Sequence, residues 1–331
     1  MSRREYDEDD VPIRRGRSVR PRSKQRPSHA DAKPAMVVTI DRGRITCALD
    51  DDPGHEVIAV KARELGRKAV AVGDQVGLVG DISGEADTLA RLVRIEPRAT
   101  ELRRTADDTD PYERTIVANV DQMGIVVALA DPPPRIGLID RCLVAAYDAG
   151  IDPLLILTKS DLADAAELLA NYRALDVQAI ALNRDSDLDA IRELLTDRIT
   201  VLVGHSGVGK STLVNALIPD AHRATGSVND VTGRGRHTST SAQALPLPDG
   251  GWIVDTPGVR SFGLAHVDRS RIVSAFDDLE EGSAECPRAC SHDEPDCALD
   301  AWVAQGHATP ERLDSLRRIL RAIDEAETPQ S

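Results

Sequence analysis

The chain is poor in aromatic side chains and in long apolar runs. Phe, Tyr and Trp together make up 2% of its 331 residues, so its cores must be built from Val, Ile, Leu and Ala. No run approaches the roughly 18 uninterrupted apolar residues of a membrane-spanning helix. The first ten residues, MSRREYDEDD, have no apolar stretch after their charges, which argues against a secretory signal. We therefore expect a soluble, cytoplasmic monomer of two or three domains with no membrane partner.

The acidic charge is unevenly distributed along the chain. The net charge of −14 is the balance of +4 in residues 1–35 and −18 in residues 36–331. The basic excess lies between Arg14 and Lys33, and residues 1–35 contain four prolines and few large apolar residues. Such a segment buries too little surface to offset the entropy of ordering, so we predict a disordered basic arm over residues 1–35. Charge alone leaves two roles open for the arm, contact with nucleic acid or a solvated tail.

Short β-type runs follow the arm. They read MVVTI, RITCAL, EVIAVKA, AVAVGDQVGLVG and LARLVRI, and Gly and Asp turns such as Asp41–Gly43 separate them. About five short strands in some 60 residues favour a small OB-like barrel, which we assign to residues 36–96. An extended linker is predicted at residues 97–117.

From residue 118 the pattern changes to apolar strands that alternate with helices. MGIVVALA, at 123–130, is continuously apolar, as expected for a parallel strand buried on both faces. The series continues through a predicted helix at Ala163–Leu175 to the strand ITVLV at 199–203. This alternation is typical of a doubly wound α/β sheet, here assigned to residues 118–270.

A phosphate-binding loop follows ITVLV directly. GHSGVGKST matches G-x-x-x-x-G-K-[ST] in the expected context of strand, glycine-rich loop and helix. In such a loop backbone N–H groups surround the phosphates, and the N-terminal end of the helix adds positive charge. Lys210 is a predicted catalytic residue that reaches the β- and γ-phosphates, and the Ser211 hydroxyl is a predicted Mg²⁺ ligand. The predicted nucleotide-binding residues of this loop are Gly204, His205, Ser206, Gly207, Val208, Gly209, Lys210, Ser211 and Thr212.

Two further motifs belong to the same predicted site. D-T-P-G follows another apolar strand, and there Asp255 is expected to hold Mg²⁺ through water while Gly258 meets the γ-phosphate. T-K-S-D follows the strand LLIL, and its carboxylate can accept hydrogen bonds from N1–H and the 2-amino group of guanine, whereas adenine has no donor at either place. The alternative interpretation of T-K-S-D is an ordinary surface turn. The residues predicted to contact the base are Thr158, Lys159, Ser160 and Asp161, with the stem of Lys159 against the ring.

The order of these motifs is unusual. In most GTPases the phosphate loop comes first and the guanine-reading motif comes late. Here the guanine-reading motif at 158–161 precedes the phosphate loop at 204–212, and D-T-P-G at 255–258 comes last. The same sheet can form if the chain is cut and rejoined at exposed loops. The order therefore predicts a circularly permuted P-loop GTPase domain.

The five cysteines fall into two groups. Cys47 and Cys142 stand alone among apolar residues, the usual position of buried core thiols. The other three lie within twelve residues together with a histidine, a cluster that favours metal over disulfides in a chain without an export signal. Three thiolates and one imidazole fill a tetrahedral site, so we predict one structural zinc ion in a helical domain at residues 271–331. The predicted zinc ligands are Cys286, Cys290, His292 and Cys297.

Taken together, these features resemble the RsgA (YjeQ) family of small ribosomal subunit biogenesis GTPases. The likeness extends to G-R-G-R-H-T at 233–238, D-T-P-G-V-R-S-F-G-L from Asp255, A-N-V-D-Q at 118–122 and V-G-D at 72–74. The resemblance implies a GTPase that acts late in maturation of the small subunit and whose hydrolysis is strongly stimulated by it. Its partners would be GTP or GDP, the small subunit and its rRNA.

The chain departs from the family pattern at three places. The guanine-reading motif begins with Thr158 where Asn is usual, which weakens the expected guanine selectivity. The second base-contacting loop, usually Ser-Ala, is represented by Ala181-Leu-Asn183. After the switch histidine the family has a run of threonines, and here Thr238, Ser239 and Thr240 are all candidates for the hydroxyl that senses Mg²⁺, with Thr238 taken first.

The group that orients the attacking water is not the usual one. GTPases commonly place Gln after D-x-x-G, but this chain has Val259, which can neither donate nor accept a hydrogen bond. His237, in G-R-G-R-H-T, is the catalytic candidate, and the family resemblance supports it. Its alternative role is that of a mobile, solvent-exposed histidine.

Two other functions remain as alternatives to a subunit-stimulated GTPase. One is a P-loop ATPase or kinase, against which Asp161 argues. The other is an RNA-binding nucleotide switch with little hydrolysis, which Val259 keeps open.

Overall fold

A closed barrel of five strands forms the first folded unit. In the computed structural model, which describes residues 29–66, 68–105, 113–219, 242–256, 267–288, 290–295 and 297–327, the order β1-β2-β3-β5-β4 returns to β1. The β3–β5 pair is parallel and the other pairs are antiparallel, which confirms the predicted OB-like barrel. The strands are β1 (Lys33–Asp41), β2 (Arg44–Leu49), β3 (Asp52–Lys61), β4 (Gln75–Gly80) and β5 (Ala90–Ile95), with a short 3₁₀ turn at Arg63–Leu65.

The barrel begins earlier than the sequence pattern suggests. Lys33, Pro34 and Ala35 pair with β4, so the last residues of the predicted disordered arm belong to a strand. Ala35 is fully buried, but small alanines and a proline give no apolar run that would mark a strand. Residues 1–28 of the predicted arm lie outside the described residues.

The predicted extended linker contains a β-hairpin. Strands β6 (Glu101–Thr105) and β7 (Glu113–Ala118) pair antiparallel, and Leu102 and Val117 are buried beneath them. Leu102 stands between Glu101 and Arg103 as the one apolar residue of β6, so this strand lacks the apolar alternation by which strands are recognised.

The α/β domain has a six-stranded sheet in the order β10-β9-β8-β11-β13-β12. All neighbours are parallel except β12 and β13, which confirms the predicted doubly wound arrangement. Buried Val, Ile, Leu and Ala fill both faces of the central strands. The elements are β8 (Gln122–Ala128), α1 (Ile136–Ala149), β9 (Asp152–Thr158), α2 (Ala166–Ala170), β10 (Gln178–Ala181), α3 (Asp189–Leu195), β11 (Ile199–Val203), α4 (Lys210–Leu217), β12 (Gln243–Pro246) and β13 (Trp252–Asp255).

The helix predicted at Ala163–Leu175 is shorter than expected. Only Ala166–Ala170 is α-helical, and a 3₁₀ turn follows at Arg173–Leu175. The Asp164 carboxylate accepts a hydrogen bond from the backbone N–H of Ala166, so the chain turns there before the helix begins. Tyr172 is buried between the two pieces, and tertiary packing therefore overrides the continuous helical pattern.

Four helices make up the described part of the C-terminal module: α5 (Arg269–Ser274), α6 (Asp277–Ser283), α7 (Ala298–Ala304) and α8 (Pro310–Glu327). The predicted apolar stripe of α8 is buried, including Leu316 and Ile323. Arg312 of α8 reaches the α/β domain, where it donates hydrogen bonds to the Ala174 carbonyl (2.7 Å) and the Asp176 carboxylate (3.1 Å). Among the described residues, no helix is both long and apolar enough to cross a membrane.

The barrel and the α/β domain are joined at two places. At the first, Thr39 of β1 pairs with Gln243 of β12, which makes one continuous sheet of eleven strands. At the second, the Ala118 N–H donates to the Val72 carbonyl (2.8 Å), and the Asn119 side-chain amide donates to the Gly73 carbonyl (2.9 Å). The V-G-D and A-N-V-D-Q segments singled out in the sequence therefore meet at this second joint.

The second joint is reinforced by a buried ion pair. The Asp74 carboxylate, which is fully buried, accepts hydrogen bonds from Arg98 Nε (2.7 Å) and Nη2 (2.9 Å) and from the Ala71 N–H (2.8 Å). The same guanidinium donates to the Thr115 hydroxyl (3.1 Å) of the hairpin. Paired, bidentate contacts of this kind fix orientation as well as proximity, so the barrel, the hairpin and the α/β domain share one rigid junction.

Candidate functional site

The predicted nucleotide motifs meet at the carboxyl edge of the parallel sheet. Strands β9, β11 and β13 are neighbours or near neighbours, and they end at Thr158, Val203 and Asp255. In open α/β sheets the loops that follow such strand ends form the ligand crevice. The sheet thus brings together three motifs that lie far apart in the chain.

The glycines of the phosphate loop adopt backbone conformations that other residues avoid. Gly204, Gly207 and Gly209 have φ angles of 149°, 82° and 98°. A Cβ atom on Gly204 would lie 2.3 Å from the carbonyl oxygen of Val126, so no other residue fits there. The loop leads into α4, which begins at Lys210, and in loops of this kind the backbone N–H groups face the phosphate.

The loop also positions a lysine and a carboxylate. Lys210 Nζ donates hydrogen bonds to the carbonyls of Gly204 (2.5 Å) and His205 (3.1 Å), which folds its side chain back over the loop. Burial lowers the pKa of Lys210, and the negative charge of Asp255 opposes that shift. Burial likewise raises the pKa of Asp255, against the attraction of Lys210. Lys210 and Asp255 are therefore partly desolvated and close enough for their charges to interact. Ser211 and Thr212 are exposed on the first turn of α4.

The predicted base-reading segment contacts the phosphate loop directly. The Thr158 hydroxyl donates to the Val208 carbonyl over 2.5 Å, and the Ser160 N–H donates to the Leu182 carbonyl over 3.1 Å. Asp161 lies beyond these anchors with an exposed side chain, available to a base. The hydroxyl of Thr158 thus ties the two loops together without the amide that is usual at this position.

One contact of this segment was not foreseen from the sequence. Lys159 has a left-handed φ of 58°, and its Nζ donates a hydrogen bond to the carbonyl of Asp131, in the loop after β8. Pro132 of that loop lies 3.8 Å from the Cβ position of Gly207. The loop that begins at Asp131 therefore packs against both the base-reading and the phosphate loops. Its signal in the sequence is D-P-P-P directly after an apolar strand.

Several predicted site residues lie outside the described residues. They are His237, Thr238, Ser239, Thr240, Gly258 and Val259. Their assigned roles remain predictions.

The predicted metal ligands come together in the C-terminal module. One donor atom from each of the four residues lies within 4.8 Å of all the others, and the set is Cys286, Cys290, His292 and Cys297. Cys286 Sγ lies 3.6 Å from His292 Nδ1 and 3.8 Å from Cys297 Sγ. Thiolate and imidazole ligands about 2.0–2.3 Å from one tetrahedral ion are separated by about 3.5–3.8 Å, so the donor set fits such an ion.

Neighbouring side chains hold the metal-binding loop in place. The Glu294 carboxylate accepts hydrogen bonds from the Ser291 N–H (3.0 Å) and from Cys290 Sγ (3.2 Å). Arg317 of α8 donates to the carbonyl of His292 over 2.7 Å and to both carboxylate oxygens of Asp300. The cluster is thus fastened to α8, the helix that also contacts the α/β domain.

The two remaining cysteines are buried in separate cores. Cys47 lies in the barrel, and Cys142 lies on α1 against the central sheet. Burial raises the pKa of both thiols to about 12. They are buried core residues, as predicted, and a thiol with so high a pKa is a poor nucleophile.

Comparison with known proteins identifies similar sequences. The sequence model of the RsgA GTPase family matches residues 95–265. The small ribosomal subunit biogenesis GTPase RsgA of Pseudomonas fluorescens (strain SBW25) is 39% identical over 268 residues, which cover 78% of this chain and 76% of that protein. The protein of the same name from Pseudomonas aeruginosa (strain LESB58) is 40% identical over 269 residues, 78% of this chain and 77% of its own.

Solved structures show the same fold. The crystal structure of YjeQ from Thermotoga maritima has a TM-score of 0.65 at 24% identity and covers 88% of this chain and 98% of YjeQ. The structure of YloQ, described as a circularly permuted GTPase, has a TM-score of 0.64 at 24% identity and covers 93% of this chain and all of YloQ. These likenesses confirm the permuted domain architecture read from the motif order.

Proposed function

The chain is a GTP-hydrolysing member of the RsgA GTPase family, and we propose that it acts in the biogenesis of the small ribosomal subunit. The observation that carries the proposal is the meeting of the phosphate loop, Asp255 and the T-K-S-D segment at one edge of the permuted sheet. Two relatives at about this level of identity carry that role in their names. We place the activity in the cytoplasm, with the protein acting as a monomer.

GTP is the proposed nucleotide. The loop at 204–212 would bind its phosphates through backbone N–H groups and Lys210, and Gly258 would meet the γ-phosphate. Asp161 would read guanine, and Thr158, Lys159 and Ser160 would hold that carboxylate in place through the contacts of their loop.

A magnesium ion is expected to accompany the nucleotide. Ser211 and Asp255 offer the hydroxyl and carboxylate oxygens that Mg²⁺ prefers, and Asp255 lies close enough to Lys210 for their charges to interact. Thr238 is the proposed hydroxyl from the switch segment. Bound there, the ion would neutralise charge on the β- and γ-phosphates.

Hydrolysis requires an oriented water. Water attacks the γ-phosphorus, the bond to the bridging oxygen breaks, and GDP and phosphate result. Lys210 would stabilise charge on the β- and γ-oxygens. We assign the orientation of water to His237, because Val259 has no side-chain group that can form a hydrogen bond.

Zinc is the proposed metal of the Cys₃His cluster. With four protein ligands and no open position, such a site supplies folding stability and no catalytic water. The anchoring of its loop to α8 through Arg317 fits that structural role.

The barrel, the basic arm and the zinc-binding module are the proposed contacts with rRNA. Residues 36–331 carry a net charge of −18, so electrostatic attraction to nucleic acid would come from the basic arm. Hydrolysis is proposed to be strongly stimulated when these parts dock on the small subunit.

The test is GTP turnover by the purified protein, alone and with small ribosomal subunits, with ATP and large subunits as controls. Strong stimulation by small subunits with GTP only is the expected result. Tight GTP binding without stimulation would contradict the proposal and favour an RNA-binding switch, and preferential use of ATP would make the chain a P-loop ATPase.

A further inference from the structure

One row of residues runs across the sheet from the barrel to the nucleotide site. Thr39 of β1 is the register partner of Gln243, Gln243 is the partner of Asp255 on β13, and Asp255 is the partner of Leu202 on β11. Gln243 therefore stands alone between the barrel strand and the carboxylate proposed to hold Mg²⁺.

The side chain of Gln243 lies on the nucleotide side of the sheet. Leu245, two residues further along β12, packs in the core beneath α4, and so does Ile253, two residues before Asp255. Because residues two apart on a strand share a face, Gln243 and Asp255 both project toward α4 and the phosphate loop. Directly opposed side chains in an antiparallel pair have Cβ atoms about 4.5–5.5 Å apart. Gln243 and Asp255 are therefore direct cross-strand neighbours on the same face of the sheet.

Strand β1 is bent so that it serves both units. Its first residues pair with β4, and a register shift between Val37 and Thr39 leaves Val38 as a bulge before Thr39 meets Gln243. Val38 and Met36 are buried in the core of the α/β domain, whereas Val37 is buried in the barrel. Bulges redirect strands and re-aim side chains, often beside active sites. After the bulge, β1 lies beside β12 with Thr39 opposite Gln243.

The second joint prevents the barrel from turning about this contact. Asp74, Arg98 and Asn119 hold the barrel turn against β7 and the start of β8 by several hydrogen bonds of 2.7–2.9 Å. With that joint fixed, the pairing of Thr39 with Gln243 is the second connection between the barrel and the α/β domain. Strand β12 lies directly between β1 of the barrel and β13, the strand that carries Asp255.

We propose that Gln243 is a positioning residue for Asp255 and couples that carboxylate to the barrel. Its amide N–H₂ would donate to Asp255 and its amide oxygen would accept from the Thr39 hydroxyl, an arrangement suited to an amide, which has both functions. The coupling to the barrel rests on the proposed function, since it matters only if the small subunit docks there. The positioning of Asp255 does not depend on that docking.

The test compares Gln243→Leu and Gln243→Met, which remove the amide but keep the volume, with Gln178→Leu on the exposed edge strand β10 as the matched control. Binding of a fluorescent, non-hydrolysable GTP analogue is titrated with Mg²⁺. For both Gln243 variants, the Mg²⁺ concentration that gives half of the full Mg²⁺-dependent increase in analogue binding should rise about tenfold. A loss of this size is usual when a metal ligand loses its hydrogen-bond partner. Affinity without Mg²⁺ and the melting temperature should match those of the control.

A second measurement addresses the coupling. The subunit-stimulated kcat of Gln243→Leu and of Thr39→Val should fall about tenfold, with subunit affinity unchanged. An unchanged Mg²⁺ titration would overturn the positioning role, and normal stimulation of both variants would overturn the coupling. If the wild-type protein shows no stimulation, the proposed function and the coupling fail together, whereas the Mg²⁺ titration still decides the role of Gln243.

Discussion

The side-chain hydroxyl of Thr158 donates a hydrogen bond to the backbone carbonyl of Val208 over 2.5 Å. This bond joins the predicted base-reading loop to the phosphate loop, so the two loops proposed to bind opposite ends of the nucleotide are directly connected. Thr158 therefore stabilises the contact between the two loops even though it lacks an amide.

Replacing Thr158 with Val should lower affinity for GTP about tenfold, because the Val208 carbonyl loses its partner while the shape is kept. Thr158→Asn should restore most of the affinity. Equilibrium binding of labelled GTP measures the effect. Thr196→Val, which removes a similar bond to the Arg192 carbonyl at the end of α3, is the control and should leave affinity unchanged. Equal losses in both Val variants would show that the Thr158 effect is general destabilisation.

Asp161→Asn should weaken GTP binding by roughly 100-fold, because the amide presents a donor to the 2-amino group of guanine. Xanthine carries a carbonyl there, so XTP should bind the variant better than GTP does. Competition between GTP, XTP and ATP gives the answer. A variant that still prefers GTP would place base recognition elsewhere.

Gly73→Ala should destabilise the junction between barrel and α/β domain severely. The new Cβ would lie 2.1 Å from the Ala118 carbonyl oxygen, in addition to the strain of a φ of 86°. Gly43→Ala is the matched control, since Gly43 has a φ of 85° but nothing within 4 Å of its Cβ position. Urea unfolding should show a loss of about 1 kcal/mol for the control and at least about 3 kcal/mol for Gly73→Ala. Similar losses would mean that the close contact relaxes.

Asp255→Asn should stabilise the nucleotide-free protein at neutral pH. Burial raises the pKa of Asp255 above its value in the unfolded chain, so the folded state binds this proton more tightly. The wild type therefore loses stability as pH rises from the unfolded value of 3.8 through the raised folded value, and the variant does not. A higher Tm is therefore expected for the variant at pH 7, and the difference should vanish well below pH 3.8. A gain that is independent of pH would have another origin.

The Cys₃His cluster should carry one zinc ion per chain, measurable by native mass spectrometry. Cys290→Ser should lower the zinc content and the melting temperature, because metal binding contributes to folding. Cys142→Ala also removes a cysteine, but from the buried core, and should retain the zinc. Loss of zinc in both variants would point to general unfolding.

The parts of the molecule that could be predicted are those encoded locally. The loop at 204–212 and the Cys286–Cys297 segment carry their chemistry within a few residues, so spacing alone indicates what they bind. The apolar run at 123–130 likewise marks a central strand, because a strand buried on both faces has no polar side to obscure the pattern.

The features that were missed depend on contacts between distant segments. The strand pairing of Thr39 with Gln243 cannot be recognised from the residues around either position, because half-buried polar residues also occur in loops. The helix predicted at Ala163–Leu175 is divided because Tyr172 packs in the core, where the guanidinium of Arg318 lies 4.9 Å from its ring centroid. Lys159 meets Asp131 only because β8 and β9 are neighbours in the sheet.

The shared strand β1 also dictates how the molecule can be assembled as it is synthesised. All five barrel strands are made early and can close among themselves, whereas β12 is made about 200 residues after Thr39, long after the barrel can fold. Until then the Thr39 edge of β1 is an open strand edge, a template for pairing with other chains. Asp41 and Arg42 follow that edge at once, and such charges discourage intermolecular pairing. The folded barrel thus offers the edge of β1 to β12, one of the last strands of the α/β sheet to be made. Chains truncated before Gln243 should therefore aggregate more readily than the full protein.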